Sequence, residues 1–391
     1  MAKTPFTIDI PQADLDSIHA KVAAYEWHEM PVIESGGDRW AYGADMEYMK
    51  ELCAYWLDGY DWRRTEAQLN GFDNYTAEID GLPIHFIIEE GSGDTPAPLL
   101  MTHGWPGSVL EFAEVIQPLA HPERFGGKAE DGLTIICPSL PGYGFSGKPP
   151  RPLGPRTVAA MWNTLMRETL GFESYIAQGG DWGSVITALL GLHHGTDTGG
   201  GCRAIHLNMY GLRGDETPET PEEKAWAERM GSVMQAESAY LQLQGTKPQS
   251  LSYAMMDSPV GVCAWIVEKF HGWSDIRGTD GTRHLENRYT KDQLLSNVML
   301  YLTTRSFNTA TWIYRGFFEE QPRIPAGKRI EVPVGIGNFA EPYFAFPPRR
   351  MVEHSHNVVH WSDYTQAGHF AALEDGEQFV REIRSFLSAL D

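Results

Sequence analysis

Gly179-Gly180-Asp181-Trp182-Gly183 constrains the fold of this chain more than any other stretch. Before it, Ser174-Tyr175-Ile176-Ala177-Gln178 reads as a short buried strand, and after it Ser184-Val185-Ile186-Thr187-Ala188-Leu189-Leu190 reads as a helix. Glycines two residues either side of Asp181 permit a sharp strand-to-helix turn. Such a turn presents one side chain at a helix N-terminus, where backbone N–H groups and the helix dipole favour negative charge. An aspartate that only caps the helix is the plainer reading of the same residue.

The rest of the chain supplies the layers that this corner needs. Tyr75–Ile79, a turn at Asp80-Gly81 and Leu82–Ile88 predict a hairpin. Buried-strand patterns follow at Pro98–Thr102, Leu133–Pro138, Tyr175–Gln178 and Ala204–Met209, with helical stretches between most of them. That alternation predicts an α/β fold, a mostly parallel sheet with helices on both faces. Ligands then bind outside the carboxyl ends of the strands. Residues 1–72 look helical and aromatic, with apolar positions Leu15, Ile18 and Val22, then Met46, Met49, Leu52, Cys53 and Trp56, at helical spacing. They are too few for an independent core and are expected to wrap the main domain. The expected core is 73–209 with 322–391, and residues 210–321 form a helical insertion over the strand ends. Strand patterns return at Arg329–Ile336 and Asn357–Tyr364, before an amphipathic helix from Glu377 to Leu390.

Composition excludes several classes of function. A net charge of −21, from 31 basic and 52 acidic residues, disfavours nucleic acid and anionic membranes as partners. The four cysteines, Cys53, Cys137, Cys202 and Cys263, are far apart, so neither a zinc site nor a disulfide framework is expected. Met1 to Ile10 lacks a signal pattern, and no run is long enough to cross a bilayer, so a cytoplasmic setting is expected. The abundant aromatics, 12 Trp and 16 Tyr, suit an aromatic-lined pocket, though core packing could absorb most of them.

Chemistry narrows the choice further. A carboxylate is already ionised at pH 7 and needs no base to become a nucleophile. Attack by Asp181 on an sp³ carbon would leave an alkyl ester, cleavable at the aspartate's own carbonyl. A serine would leave an ether that water does not cleave at a useful rate. Asp181 therefore points to epoxide or carbon–halogen substrates rather than ordinary esters. His103-Gly104-Trp105-Pro106-Gly107-Ser108 follows a strand, and the glycines with Pro106 would fix its bend. The backbone N–H groups of Trp105 and Trp182 are candidate oxyanion donors. His369, after the last predicted strand, is a candidate general base. Its acid is Glu341, held in extended geometry before Pro342, with Glu353 and Asp363 as alternatives. Tyr240 and Tyr314 could donate protons to a leaving oxygen, or could simply pack.

Together these residues resemble the microsomal-type epoxide hydrolases over nearly the whole chain. The resemblance rests on Phe6-Thr-Ile-Asp-Ile-Pro11, Trp56 through Trp62-Arg63, the His103–Ser108 loop, Pro141-Gly-Tyr-Gly-Phe-Ser146 and the Asp181 corner. It continues in Gly245-Thr-Lys-Pro248, Asp257-Ser-Pro259 and Gly368-His-Phe-Ala-Ala372. It implies an α/β-hydrolase fold with an α-helical lid and an N-terminal helical wrap. It also implies Asp181 as nucleophile, His369 as base, and Tyr240 and Tyr314 as donors to the epoxide oxygen. In that family the acid follows a Phe-Pro pair, whereas this chain reads Asn338-Phe-Ala-Glu341-Pro-Tyr. Many members begin with a membrane anchor, and this chain resembles the soluble microbial ones. No cofactor or metal is expected, the expected partner is a small-molecule epoxide, and a homodimer is left open. The rival readings are a haloalkane dehalogenase and a non-catalytic small-molecule-binding homologue.

Overall fold

Continuously apolar segments form the centre of a single sheet in the computed structural model, which describes residues 2–390. Its strands are β1 (Thr4–Pro5), β2 (Asn74–Ile79), β3 (Leu82–Glu89), β4 (Ala97–Thr102), β5 (Leu133–Pro138), β6 (Tyr175–Gly179), β7 (Cys202–Leu207), β8 (Ile330–Asn338) and β9 (His356–Asp363). They lie in the order β1-β2-β3-β5-β4-β6-β7-β8-β9. From β5 to β9 all neighbours run parallel, while β1, β2 and β3 make an antiparallel edge joined to β5. Every residue of β5 and β6 is buried, as a strand covered by helices on both faces requires. The predicted strands all form, with ends shifted by a residue or two where fraying is usual.

The crossover between β4 and β6 puts their carboxyl ends side by side. Leu99 to Thr102 pair in register with Ile176 to Gly179. The loop after β4 and the helix Asp181–His193 after β6 therefore meet at one place. Between β7 and β8 the chain leaves the sheet and forms a run of helices from Pro221–Glu237 to Trp312–Glu320. Two of these carry Tyr240 and Tyr314 to within ring contact of Trp105 and Trp182.

The N-terminal helices pack against this insertion as well as extending the sheet. β1 adds to β2, while Gln12–Ala23, Met46–Asp58 and Trp62–Asn70 contact the inserted helices Pro259–Trp273 and Lys291–Thr303. The Tyr55 hydroxyl donates to Asp292 at 2.9 Å, Thr65 and Ser296 hydroxyls lie 2.6 Å apart, and Trp40 stacks on His271 at 4.0 Å. The expected wrap thus leans largely on the insertion, because Tyr48, Met49, Leu52, Cys53 and Trp56 bury one apolar face. No helix among the described residues is long and apolar enough to cross a membrane.

Candidate active site

The corner after β6 is held by close backbone approach. A Cβ on Gly183 would lie 1.9 Å from the Thr102 carbonyl oxygen, so no larger residue fits without moving β4. Asp181 has φ +47°, a left-handed conformation that non-glycine residues adopt at a cost of about 1–3 kcal/mol. Its carbonyl accepts from the Ser184 hydroxyl at 2.7 Å within the first helical turn. The strained residue is therefore locked by its neighbours, and it lines the cavity above the strand ends.

The His103–Ser108 loop closes on that carboxylate. The Trp105 backbone N–H donates to Asp181 Oδ1 at 2.8 Å. Gly104 permits the approach, since a Cβ there would lie 2.2 Å from the same oxygen. Trp182 is the second residue of the helix, where a backbone N–H has no intrahelical acceptor. His103 is a buried brace: Leu140 N–H donates to its Nε2 at 3.1 Å, and its Nδ1–H donates to the Gly104 carbonyl at 3.0 Å. Burial pushes its imidazole down to about 4, so it stays neutral and keeps both bonds. The Trp105–Pro106 peptide is cis. Its Pro106 carbonyl accepts from Asn297 at 2.7 Å, and the Gly107 carbonyl accepts from the Tyr301 hydroxyl at 2.7 Å. Neither of these supports, both from the insertion, was anticipated from sequence.

His369 stands between two carboxylates. Its Nδ1 lies 2.7 Å from Glu341 Oε1 and its Nε2 lies 3.4 Å from Asp181 Oδ2. Burial alone would discharge the ring, but Glu341 and Asp181 together hold its basicity well above the ordinary imidazole range. Glu341 is itself buried and accepts the Phe344 N–H at 3.1 Å. The other two candidate acids are elsewhere. Glu353 is exposed and pairs with Arg349 at 2.6 Å, while Asp363 accepts from Asn338 and Trp361. The departure at Asn338–Tyr343 from the family pattern still delivers a carboxylate to the imidazole.

A third acid, Glu374, was missed. Its carboxylate accepts the N–H groups of Gly368 (2.7 Å), Phe370 (3.0 Å) and, from the insertion, Asp275 (2.9 Å). It thereby grips the residues on either side of His369, whose own N–H donates to the Trp273 carbonyl at 3.1 Å. Burial raises Glu374 to about 7, with the three donors pulling the other way. A single Glu five residues after a histidine carries no sequence signal of such a role.

Tyr240 and Tyr314 face the carboxylate from the insertion. Tyr240 stacks on Trp105 at 5.3 Å, Tyr314 meets Trp182 edge-on at 4.7 Å, and the two phenol rings lie 5.8 Å apart. Burial first, then neighbouring phenols and Asp181, push both hydroxyls well above the ordinary tyrosine range. They are neutral donors at any working pH. The Tyr314 hydroxyl has no well-formed hydrogen-bond partner among the described residues, so a donor is available for a ligand. A cavity of about 440 Å³ opens over Asp181, walled by Met209, Leu241, Phe317 and Phe344. Among the described residues no cluster of side chains is suited to a metal ion.

The fold and this corner define an α/β-hydrolase, and residues 97–237 match the family described as alpha/beta hydrolase fold. Residues 3–112 match the family described as Epoxide hydrolase N terminus. A relative from Stigmatella aurantiaca, provisionally named an epoxide hydrolase, is 38% identical over 386 residues, covering 97% of this chain and 84% of its own. Epoxide hydrolase 1 of Sus scrofa is 30% identical over 419 residues, covering 99% of this chain and 89% of its own. The solved structure of Aspergillus niger epoxide hydrolase superposes with a TM-score of 0.83 at 31% identity, covering 99% of this chain and 96% of that one. The chain belongs to the epoxide hydrolase family.

Proposed function

We propose that this protein hydrolyses an epoxide to a vicinal diol through an ester on Asp181, with residues 210–321 as the lid over the reaction. The observation that carries the proposal is that Asp181 and two neutral phenols line one cavity while the His369–Glu341 pair meets the Asp181 carboxylate. Tyr240 and Tyr314 hydrogen-bond the epoxide oxygen while Asp181 attacks a ring carbon from the opposite side. The carbon–oxygen bond breaks, and the alkoxide takes a proton that the imidazolium replaces.

Esterification removes the Asp181 charge, and with it one of the two carboxylates that hold His369 protonated. The ring is then a neutral base, oriented by Glu341, and it deprotonates water for attack on the Asp181 carboxyl carbon. The Trp105 and Trp182 N–H groups stabilise the oxyanion, about 3–4 kcal/mol per donor in comparable sites. Collapse expels the second alkoxide, which takes the proton from His369. The acid left on Asp181 returns its proton to the imidazole, and the resting pair is restored.

In a single turnover in ¹⁸O-water the label should enter the Asp181 side chain and not the first diol. Label found directly in that diol excludes the covalent route. A dehalogenase reading draws on one observation: the Trp105 and Trp182 indole N–H groups are buried without a well-formed partner and could hold a halide. Halide release from chloroalkanes, with no diol from styrene oxide, decides for it. The four free, buried cysteines suit a reducing cytoplasm. Assembly as monomer or homodimer is read by sedimentation velocity.

A further inference from the structure

We infer that the outer end of the catalytic cavity recognises a carboxylate, so that the substrates are epoxides bearing a carboxylate across an apolar spacer. This rests on the epoxide hydrolysis proposed above. The cavity is graded along its depth. Its floor holds the nucleophile and the two buried phenols, its walls are apolar, and its mouth carries Arg213 and Arg323, both exposed. Asp181 is the one acidic group on the lining among the described residues, so the lining is net positive in a chain whose net charge is −21.

Neither arginine is spent on the protein. Among the described residues no ion pair or side-chain hydrogen bond engages Arg213 or Arg323. Of the carboxylates that follow Arg213 in sequence, Asp215 binds His354 at 3.0 Å, and Glu216 takes the Tyr210 hydroxyl on one oxygen and makes no ion pair with either arginine. Arg213 is steadied by aromatic faces, its guanidinium 5.2 Å from the Trp226 ring and 6.0 Å from the Tyr210 ring. Rings hold the planar fork without consuming its donors, which remain free for bidentate contact with a carboxylate. The field of the whole chain repels anions, so attraction for a carboxylate is confined to the opening where the two arginines stand. With the charge anchored at the mouth, the apolar walls guide the spacer and the oxirane is left at the floor.

The test compares kcat/KM for a medium-chain ω-epoxy fatty acid and its methyl ester, in wild type and in R213Q, R323Q and the double variant. The expected result is an acid preference of roughly tenfold, carried mainly by KM and weakened by added salt. In the double variant the acid-to-ester ratio should fall to about one. Equal turnover of acid and ester by wild type, or an acid preference that survives in the double variant, overturns the inference alone. Absence of diol from both compounds strikes the hydrolase reading, and the inference with it.

Discussion

Asp181 combines a strained backbone with a charge that the proposed ester would remove. Its left-handed φ and its contact with the Trp105 N–H hold the carboxylate at the cavity, where with Glu341 it raises the basicity of its neighbour His369. The imidazole's elevated basicity has a measurable sign. In the folded resting enzyme it contributes stability that is fully present below the ordinary histidine value near 6.5 and is lost as pH rises through the raised value. E341Q removes one of the two supporting charges. NMR should show the His369 titration moved downward, and rapid quench should show ester hydrolysis slowed by roughly 10²–10⁴-fold. In the proposed mechanism the phenols act in the other half-reaction. Y240F and Y314F should each slow ester formation by about 10²-fold, read in single-turnover kinetics, with little effect on breakdown of ester already formed. A slowed breakdown with normal formation would place the tyrosines in the wrong step.

Between elements, the active loops are tied to the insertion by hydrogen bonds rather than by sheet pairing. Asn297 and Tyr301 on Lys291–Thr303 hold the loop after β4, while Glu374 joins the His369 loop to Asp275. Positioning His369 is thus coupled to positioning the insertion. E374Q keeps the shape but replaces a carboxyl whose two oxygens accept three N–H groups by an amide with one acceptor oxygen. Ester should then accumulate in the steady state, detected as added mass on the Asp181 peptide, with the folded secondary structure intact by circular dichroism. Unchanged ester occupancy would show that Glu374 only stabilises the loop.

Far from the cavity, the parallel half of the sheet is closed by a buried carboxylate. Glu382 on the C-terminal helix Gly376–Ser388 accepts from His206 on β7 and His360 on β9 at 3.0 Å each, and from the Tyr364 hydroxyl at 2.7 Å. Burial opposes its charge, but His206 and the other donors win and bring it down to about 2. A lowered carboxylate contributes stability above its unfolded value near 4.5 and loses it as pH falls toward 2. E382Q should therefore cost about 2 kcal/mol in urea unfolding at pH 7, and the difference should shrink as the pH drops below about 4. A pH-independent difference would assign the loss to packing.

Much of this architecture was legible along the chain because the constraints involved are local. Gly183 is required by a carbonyl one strand away, yet its place two residues after Asp181 already announced the turn. Uninterrupted apolar strands announced a covered parallel sheet, and loops at their carboxyl ends announced where the chemistry would gather. Selection among equals was not legible. Glu341, Glu353 and Asp363 are all carboxylates near a strand end, and the choice among them depends on which one the β8 loop buries against an imidazole 28 residues on. Asn297, Tyr301, Glu374, Arg213 and Arg323 carry no local pattern at all. Their roles come from contacts between segments brought together only by the crossover of the sheet and the docking of the insertion. Periodicity and turn chemistry act over a few residues of chain, whereas hydrogen-bond partners and the charge of a cavity are set by distances in space.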